Sequence, residues 1–138
     1  MEEKRREEDR YCFACGADNP IGLHLAFREA DGAYVAAFVA PPELQSYGGV
    51  VHGGIVSTLL DESMGRYLYA QGCRAVTAKL EVRYRRPTPV GEQLTVVGRI
   101  LKRRGKFVDA CASVMLDDGT VTAEATAKLA IVEESMWK

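Results

Sequence analysis

From Gly54 to about Ala70, apolar residues recur at helical spacing: Ile55, Val56, Leu59, Leu60, Met64, Tyr67 and Leu68. The pattern predicts one long helix that stops at Gln71-Gly72, with Gly72 as its C-terminal cap. Downstream the period falls to two. Val76, Ala78, Leu80, Val82 and Tyr84 alternate with Thr77, Lys79, Glu81, Arg83 and Arg85, as in a strand with one apolar face. "PTPVGE" breaks that strand. "QLTVVGRILK", "KFVDACASVML" and a last run with Val121, Ala123, Ala125, Ala127, Leu129 and Ile131 in alternation predict three more, parted by "RRG" and "DDG". Short connections predict that all four pair as an antiparallel meander. Upstream, "LHLAFREADGAYVAAFVA" reads as two short strands around the hairpin dipeptide Asp31-Gly32, with His24 in the first. "PPELQSYGGVVHGG" is a long loop.

One helix laid outside a sheet of this size leaves apolar area bare. The expected architecture is therefore α+β: a curved antiparallel sheet wrapped around one long central helix, with exposed edges that a second copy could pair. Residues 1–11 read as a charged, solvated tail and 12–138 as a single domain. A formal net charge of −1 gives no global reason to expect nucleic acid. No apolar run reaches membrane-spanning length, and the charged "MEEKRREEDR" is unlike a secretory signal, so the expected compartment is the cytosol. Four cysteines without an export signal are expected to be reduced. Cys12 and Cys15 form half of a zinc site. No second pair follows at finger spacing, so the expectation is two packed thiols and no metal.

The helix carries the chemistry. Opposite its apolar stripe, Gly54, Thr58, Asp61 and Gly65 share one narrow sector. A solvated helix face normally bears long polar side chains, whereas this one is made of small residues and one carboxylate, so a ligand or a second subunit can approach closely. Asp61 would then be a carboxylate in a confined place and a candidate base, with a surface aspartate as the alternative. Glu62 points about 100° away, which suits a structural or ion-pairing role. At the helix start, backbone N–H groups lack intrahelical partners, and Gly53 and Gly54 leave them open to a carbonyl oxygen becoming an oxyanion. Asp61 lies roughly 10 Å further along the axis. The two features meet only if a neighbouring helix runs antiparallel across a two-fold axis, which predicts a homodimer with composite sites.

The order of elements, "GVVHGG", "LLDESMG", "AVTAKLEVRYRRPTPVGE", "ATAKLAI" and "CFACGADNPIGL" together resemble the hotdog-fold acyl-CoA thioesterases, and more narrowly the PaaI-like family, over roughly residues 12 to 132. The resemblance implies hydrolysis of an acyl-CoA thioester to a carboxylic acid and free CoA. It puts Asp61 in the role of general base or nucleophile, with Gly53 as the carbonyl-polarising N–H and His52 as a positioning residue. Thr77 falls where relatives orient the water, and Gln45 is the nearest match to an upstream amide. CoA belongs to the substrate, so no separate cofactor is implied. A homodimer, assembled further into a tetramer, is expected. Gly54 and Thr58 would line the substrate's path. Arg85 and Arg86, in a basic stretch between Lys79 and Lys106 that contains only Glu81, Glu92 as acids, would meet its phosphates.

A thioester carbonyl is already electrophilic, so one carboxylate and an oxyanion site suffice; the chain has two histidines and no serine elbow. Two other readings stay open: a non-catalytic acyl-CoA binding or sensor module, and an acyl-thioester hydratase on the same fold, which would require a histidine partner to the carboxylate.

Overall fold

The computed structural model describes residues 7–134, with side chains over 9–132; the first six residues of the expected tail lie outside this range. A 3-10 turn, Glu7–Tyr11, opens the described chain, and Arg10 in it pairs with Asp18 at 2.7 Å. Six strands follow: β1 (Arg28–Ala30), β2 (Ala33–Val39), β3 (Cys73–Tyr84), β4 (Gln93–Arg104), β5 (Phe107–Leu116) and β6 (Val121–Glu134). Among the described residues one α-helix, α1, forms, spanning Gly53–Ala70 between β2 and β3. The hairpin forms at Asp31 and Gly32, both at positive φ, as its two-residue turn requires. His24 is not in a strand. It sits at φ 53 before β1, and its Nε2 lies 2.7 Å from the Asn19 carbonyl.

The sheet is antiparallel throughout, in the order β1-β2-β4-β5-β6-β3. The expected four-strand meander holds for β4, β5 and β6 only. β3 pairs with β6 instead and forms the far edge. The reason is the segment after β3, which crosses the start of the helix rather than turning back. Val51 N–H donates to Thr88 O, Val90 N–H to Gly49 O and Gly91 N–H to Ala40 O, lacing this segment to the loop before α1.

The apolar stripe of α1 (Val56, Leu59, Leu60, Met64, Leu68) is buried against the inward faces of β4, β5 and β6. Beside Leu94, Val96 and Leu129, those faces carry a run of small residues, Ala110, Ala112, Ala123, Ala125 and Ala127. The helix can therefore approach the backbone of the sheet. At Gly98 on β4 a Cβ would come within 2.4 Å of Ser63 O, so no other residue fits at the crossing without movement.

β3 does not alternate as its sequence predicts. Thr77 pairs with Leu129 and Lys79 with Lys128, which leaves Ala78 as a bulged extra residue. The bulge shifts the phase by one. Ala75, Thr77, Leu80 and Val82 face the helix, because their partners Ile131, Leu129, Ala127 and Ala125 do, and Val76 is 54% exposed.

Candidate active site

The start of α1 is shaped by His52. Its Nδ1 accepts the Gly54 N–H at 2.9 Å, and its carbonyl takes the N–H groups of Ile55 and Val56. Among the described residues the Gly53 N–H has no acceptor, and it lies at the positive end of the helix dipole. Tyr84, at the end of β3, braces the same turn. Its hydroxyl donates to Gly53 O at 2.9 Å and, with that proton committed, accepts from Ser57 Oγ at 2.6 Å. A cleft of about 460 Å³ opens beside Gly53, between Tyr47, Val50, Tyr84 and Arg86. Gln45 lies on the other side. It accepts the Gly49 N–H at 3.0 Å and shares a hollow of about 310 Å³ with His52, Gly54 and Ile55.

Asp61 is two turns away. It is half-buried, and its Oδ1 accepts a hydrogen bond from Thr77 Oγ1 at 2.7 Å. The bond exists because the bulge at Ala78 turns Thr77 toward the helix. In the regular strand read from the sequence, Thr77 would face away. Eight residues separate Gly53 from Asp61, roughly 12 Å of helix. Within one chain the predicted site residues thus form two groups: His52, Gly53, Gly54 and Gln45 at the helix start, and Asp61 with Thr77 along it. The sector between them is open. Gly65 has nothing within 4 Å of a would-be Cβ, and Gly54 has only its own capping His52. Thr58 lies there too, its hydroxyl donating back to Gly54 O at 2.9 Å.

The basic stretch is less bare than its sequence suggests, because the neighbouring strands supply acids. Arg85 is bound to Glu124 on β6 through two guanidinium nitrogens, at 2.8 and 2.5 Å. That pairing holds the Glu124 carboxyl below its ordinary range and raises Arg85. Arg104 is paired with Asp109 of β5, while Lys79 meets Glu81 of its own strand. Arg85 and Arg86 are both exposed and both line the cleft beside Gly53, but Arg85 is committed to Glu124.

Sequence reasoning missed two features. Tyr84 was assigned to the apolar face of β3, and its hydroxyl signals its role only once the helix start is placed beside it. The second is a cluster below the helix. Glu62 projects from α1 toward Cys12 and Cys15, its Oε2 3.9 Å from Cys12 Sγ. One ligand-capable atom from each of the three residues lies within 4.8 Å of the others. The Cys15 thiol donates to Cys12, whose sulfur also takes backbone N–H groups from Cys15 and Ala14. This lowers Cys12 to about 5 and pushes Cys15 far up. Burial lifts Glu62 to about 7, against the pull of the Cys15 thiol and Arg66.

A six-stranded antiparallel sheet closed over one long helix, with a capped glycine pair at the helix start, is the hotdog fold. The chain belongs to the thioesterase superfamily, whose family profile matches residues 48–123. Acyl-coenzyme A thioesterase THEM4 of Mus musculus is 30% identical over 118 residues, covering 83% of this chain and 51% of the relative. The chain thus spans about half the length of the curated relatives it matches. The solved structure of the thioesterase superfamily protein RHA08564 superposes with a TM-score of 0.81 at 28% identity, covering 86% of this chain and 62% of that one. The PaaI protein of the E. coli phenylacetic acid degradation operon shares the fold, with a TM-score of 0.75 at 17% identity, covering 81% and 82% of the two chains.

Proposed function

We propose that the protein hydrolyses an acyl-CoA thioester to a carboxylate and free CoA. The reading is supported by membership of the thioesterase superfamily and by the acyl-CoA activity named for its mouse relative. The observation that carries it is the Thr77–Asp61 hydrogen bond, which fixes one oxygen of a half-buried carboxylate on the helix sector that also holds Gly54, Thr58 and Gly65.

The active unit is a homodimer, and a tetramer is its further assembly. β3 is an edge strand with Val76 exposed, and the open helix sector beside it is made of small residues. With a second α1 antiparallel across this face, Asp61 of one copy meets the Gly53 N–H of the other. That N–H holds the thioester carbonyl oxygen and stabilises the oxyanion. Asp61 takes a proton from water as the water attacks the carbonyl carbon; in the alternative, Asp61 attacks the carbon itself and water then hydrolyses the mixed anhydride left after CoA departs. Collapse of the tetrahedral intermediate breaks the C–S bond and expels CoA as the thiolate. His52, through its cap on Gly54, keeps the turn in shape. Gln45, Gly54 and Thr58 line the acyl path, and Arg86, with a lesser part for the paired Arg85, meets the phosphates of CoA. No cofactor is needed besides the CoA of the substrate, and the setting is the cytosol. No described helix is long and apolar enough to cross a membrane.

The test is CoA release from a panel of phenylacetyl-, benzoyl-, acetyl-, hexanoyl- and palmitoyl-CoA, with Asp61→Asn beside the wild type. Turnover that collapses in the variant supports the reading. Tight binding of the esters with no turnover would replace it with an acyl-CoA binding module.

A further inference from the structure

We propose that Cys12, Cys15 and Glu62 form a binding site for one zinc-class divalent cation, which clips the N-terminal segment to α1. Glu62 lies 47 and 50 positions after Cys15 and Cys12, yet the three residues' ligand atoms lie within 4.8 Å of one another. Tetrahedral zinc with Zn–S near 2.3 Å and Zn–O near 2.1 Å needs ligand separations of roughly 3.6–3.8 Å. The Cys12 Sγ to Glu62 Oε2 distance, 3.9 Å, already meets that within a few tenths.

The local backbone is built for thiolates. Residues 12–16 form a tight turn closed by Gly16 N–H to Cys12 O at 2.8 Å, with the N–H groups of Ala14 and Cys15 directed at Cys12 Sγ. A Cβ at Gly16 would fall 2.3 Å from Cys12 N, so the turn depends on that glycine. The segment is anchored on the far side by Leu23 N–H to Phe13 O and Leu25 N–H to Ala14 O. Cys15 is buried, while Cys12 and Glu62 are half-buried.

Charge supports the same assignment. A carboxylate placed against two thiols is poorly served, because a thiol is a weak hydrogen-bond donor. The charge of Arg66 acts on both Cys12 and Glu62. Two thiolates, one carboxylate, one guanidinium and a divalent cation sum to zero. The two softer sulfur ligands favour zinc over magnesium or calcium, which take oxygen sets.

The experiment uses the full chain, reduced and stripped with chelator, then titrated with cobalt(II) and zinc(II) alone. The expected result is one equivalent bound, a thiolate-to-cobalt charge-transfer band with tetrahedral visible bands, and their displacement by zinc. Zinc should also raise Tm, since it binds the folded state. Cys15→Ser and Glu62→Gln should each weaken binding at least tenfold, and Cys73→Ser should leave it unchanged. If Cys15→Ser does not fold, thiol counting in the wild type decides: zinc should shield two cysteines that chelator re-exposes. Absence of the band in reduced protein, binding indifferent to Glu62→Gln, or no shielded thiols would overturn the proposal.

Discussion

Thr77 Oγ1 lies 2.7 Å from Asp61 Oδ1, joining the edge strand β3 to the open face of α1. The bond crosses the gap at the point where β3 bulges, so one backbone irregularity sets how the carboxylate is aimed. If Asp61 is the base or nucleophile, Asp61→Asn should lower kcat by about 10²–10⁴-fold, the range for losing a positioned acid–base group. Its Tm should stay near that of the wild type, since Asp61 is only half-buried. Thr77→Ala should cost less, and Thr77→Ser, which keeps the hydroxyl, should retain most of the rate. Steady-state kinetics with thermal melts on the three variants checks this.

Arg85 and Arg86 are neighbours with different surroundings. Both line the cleft beside Gly53, but only Arg85 is tied to Glu124. Arg86→Ala should raise KM for a CoA ester by about threefold to tenfold, the worth of roughly one ordinary hydrogen bond, as suits a solvent-exposed contact. Arg85→Ala should change it less. With an N-acetylcysteamine thioester, which has no phosphates, neither substitution should move KM. A matching rise on that substrate would mean that the residues shape the cleft rather than bind phosphate.

Much of this arrangement was legible in the sequence, for identifiable reasons. The apolar spacing of Ile55 to Leu68 gave the helix, and the alternation from Val121 to Ile131 gave β6, because each repeats its period without interruption. The small-residue sector was legible as well, since it follows from helical geometry alone. The sheet order was not. Chain neighbours β3 and β4 are separated by backbone hydrogen bonds to a distant loop, which leave no periodic trace. The bulge at Ala78 was invisible for a related reason: residues on either side of it still alternate in the sequence. Glu62 read as a boundary position on its wheel, and its thiol neighbours were 47 and 50 residues away.

Gly98 tests the packing. A methyl group there would lie 2.4 Å from Ser63 O, a backbone atom that can retreat only if α1 moves off the sheet. Gly98→Ala should therefore destabilise the fold by about 1–3 kcal/mol, as overpacking does. Urea unfolding should show a lower midpoint with an unchanged m value. The shifted helix also carries Asp61, so catalytic rate should fall with stability. Gly65→Ala has open space within one chain but lies on the face that the proposed dimer buries, so any loss of midpoint there should depend on protein concentration, unlike that of Gly98→Ala.

Cys12 offers a test of the electrostatics below the helix in the metal-free, reduced chain. The Cys15 thiol and two backbone N–H groups hold its sulfur as a thiolate down to about pH 5, while Cys15 is pushed up and burial raises Cys111. The thiolate is the reactive form, so alkylation of Cys12 by iodoacetamide should rise through about pH 5 and be nearly flat from pH 6 to 8. Cys111 should gain reactivity only above the ordinary thiol range. The sign for stability follows from the same shift. A thiol whose folded pKa is depressed stabilises the fold above its unfolded value near 9, and that contribution is lost as pH falls through about 5. Cys15→Ala removes the donor and should move the alkylation midpoint of Cys12 upward. A midpoint that stays in place would show that the two backbone N–H groups of the turn hold the thiolate without help from Cys15.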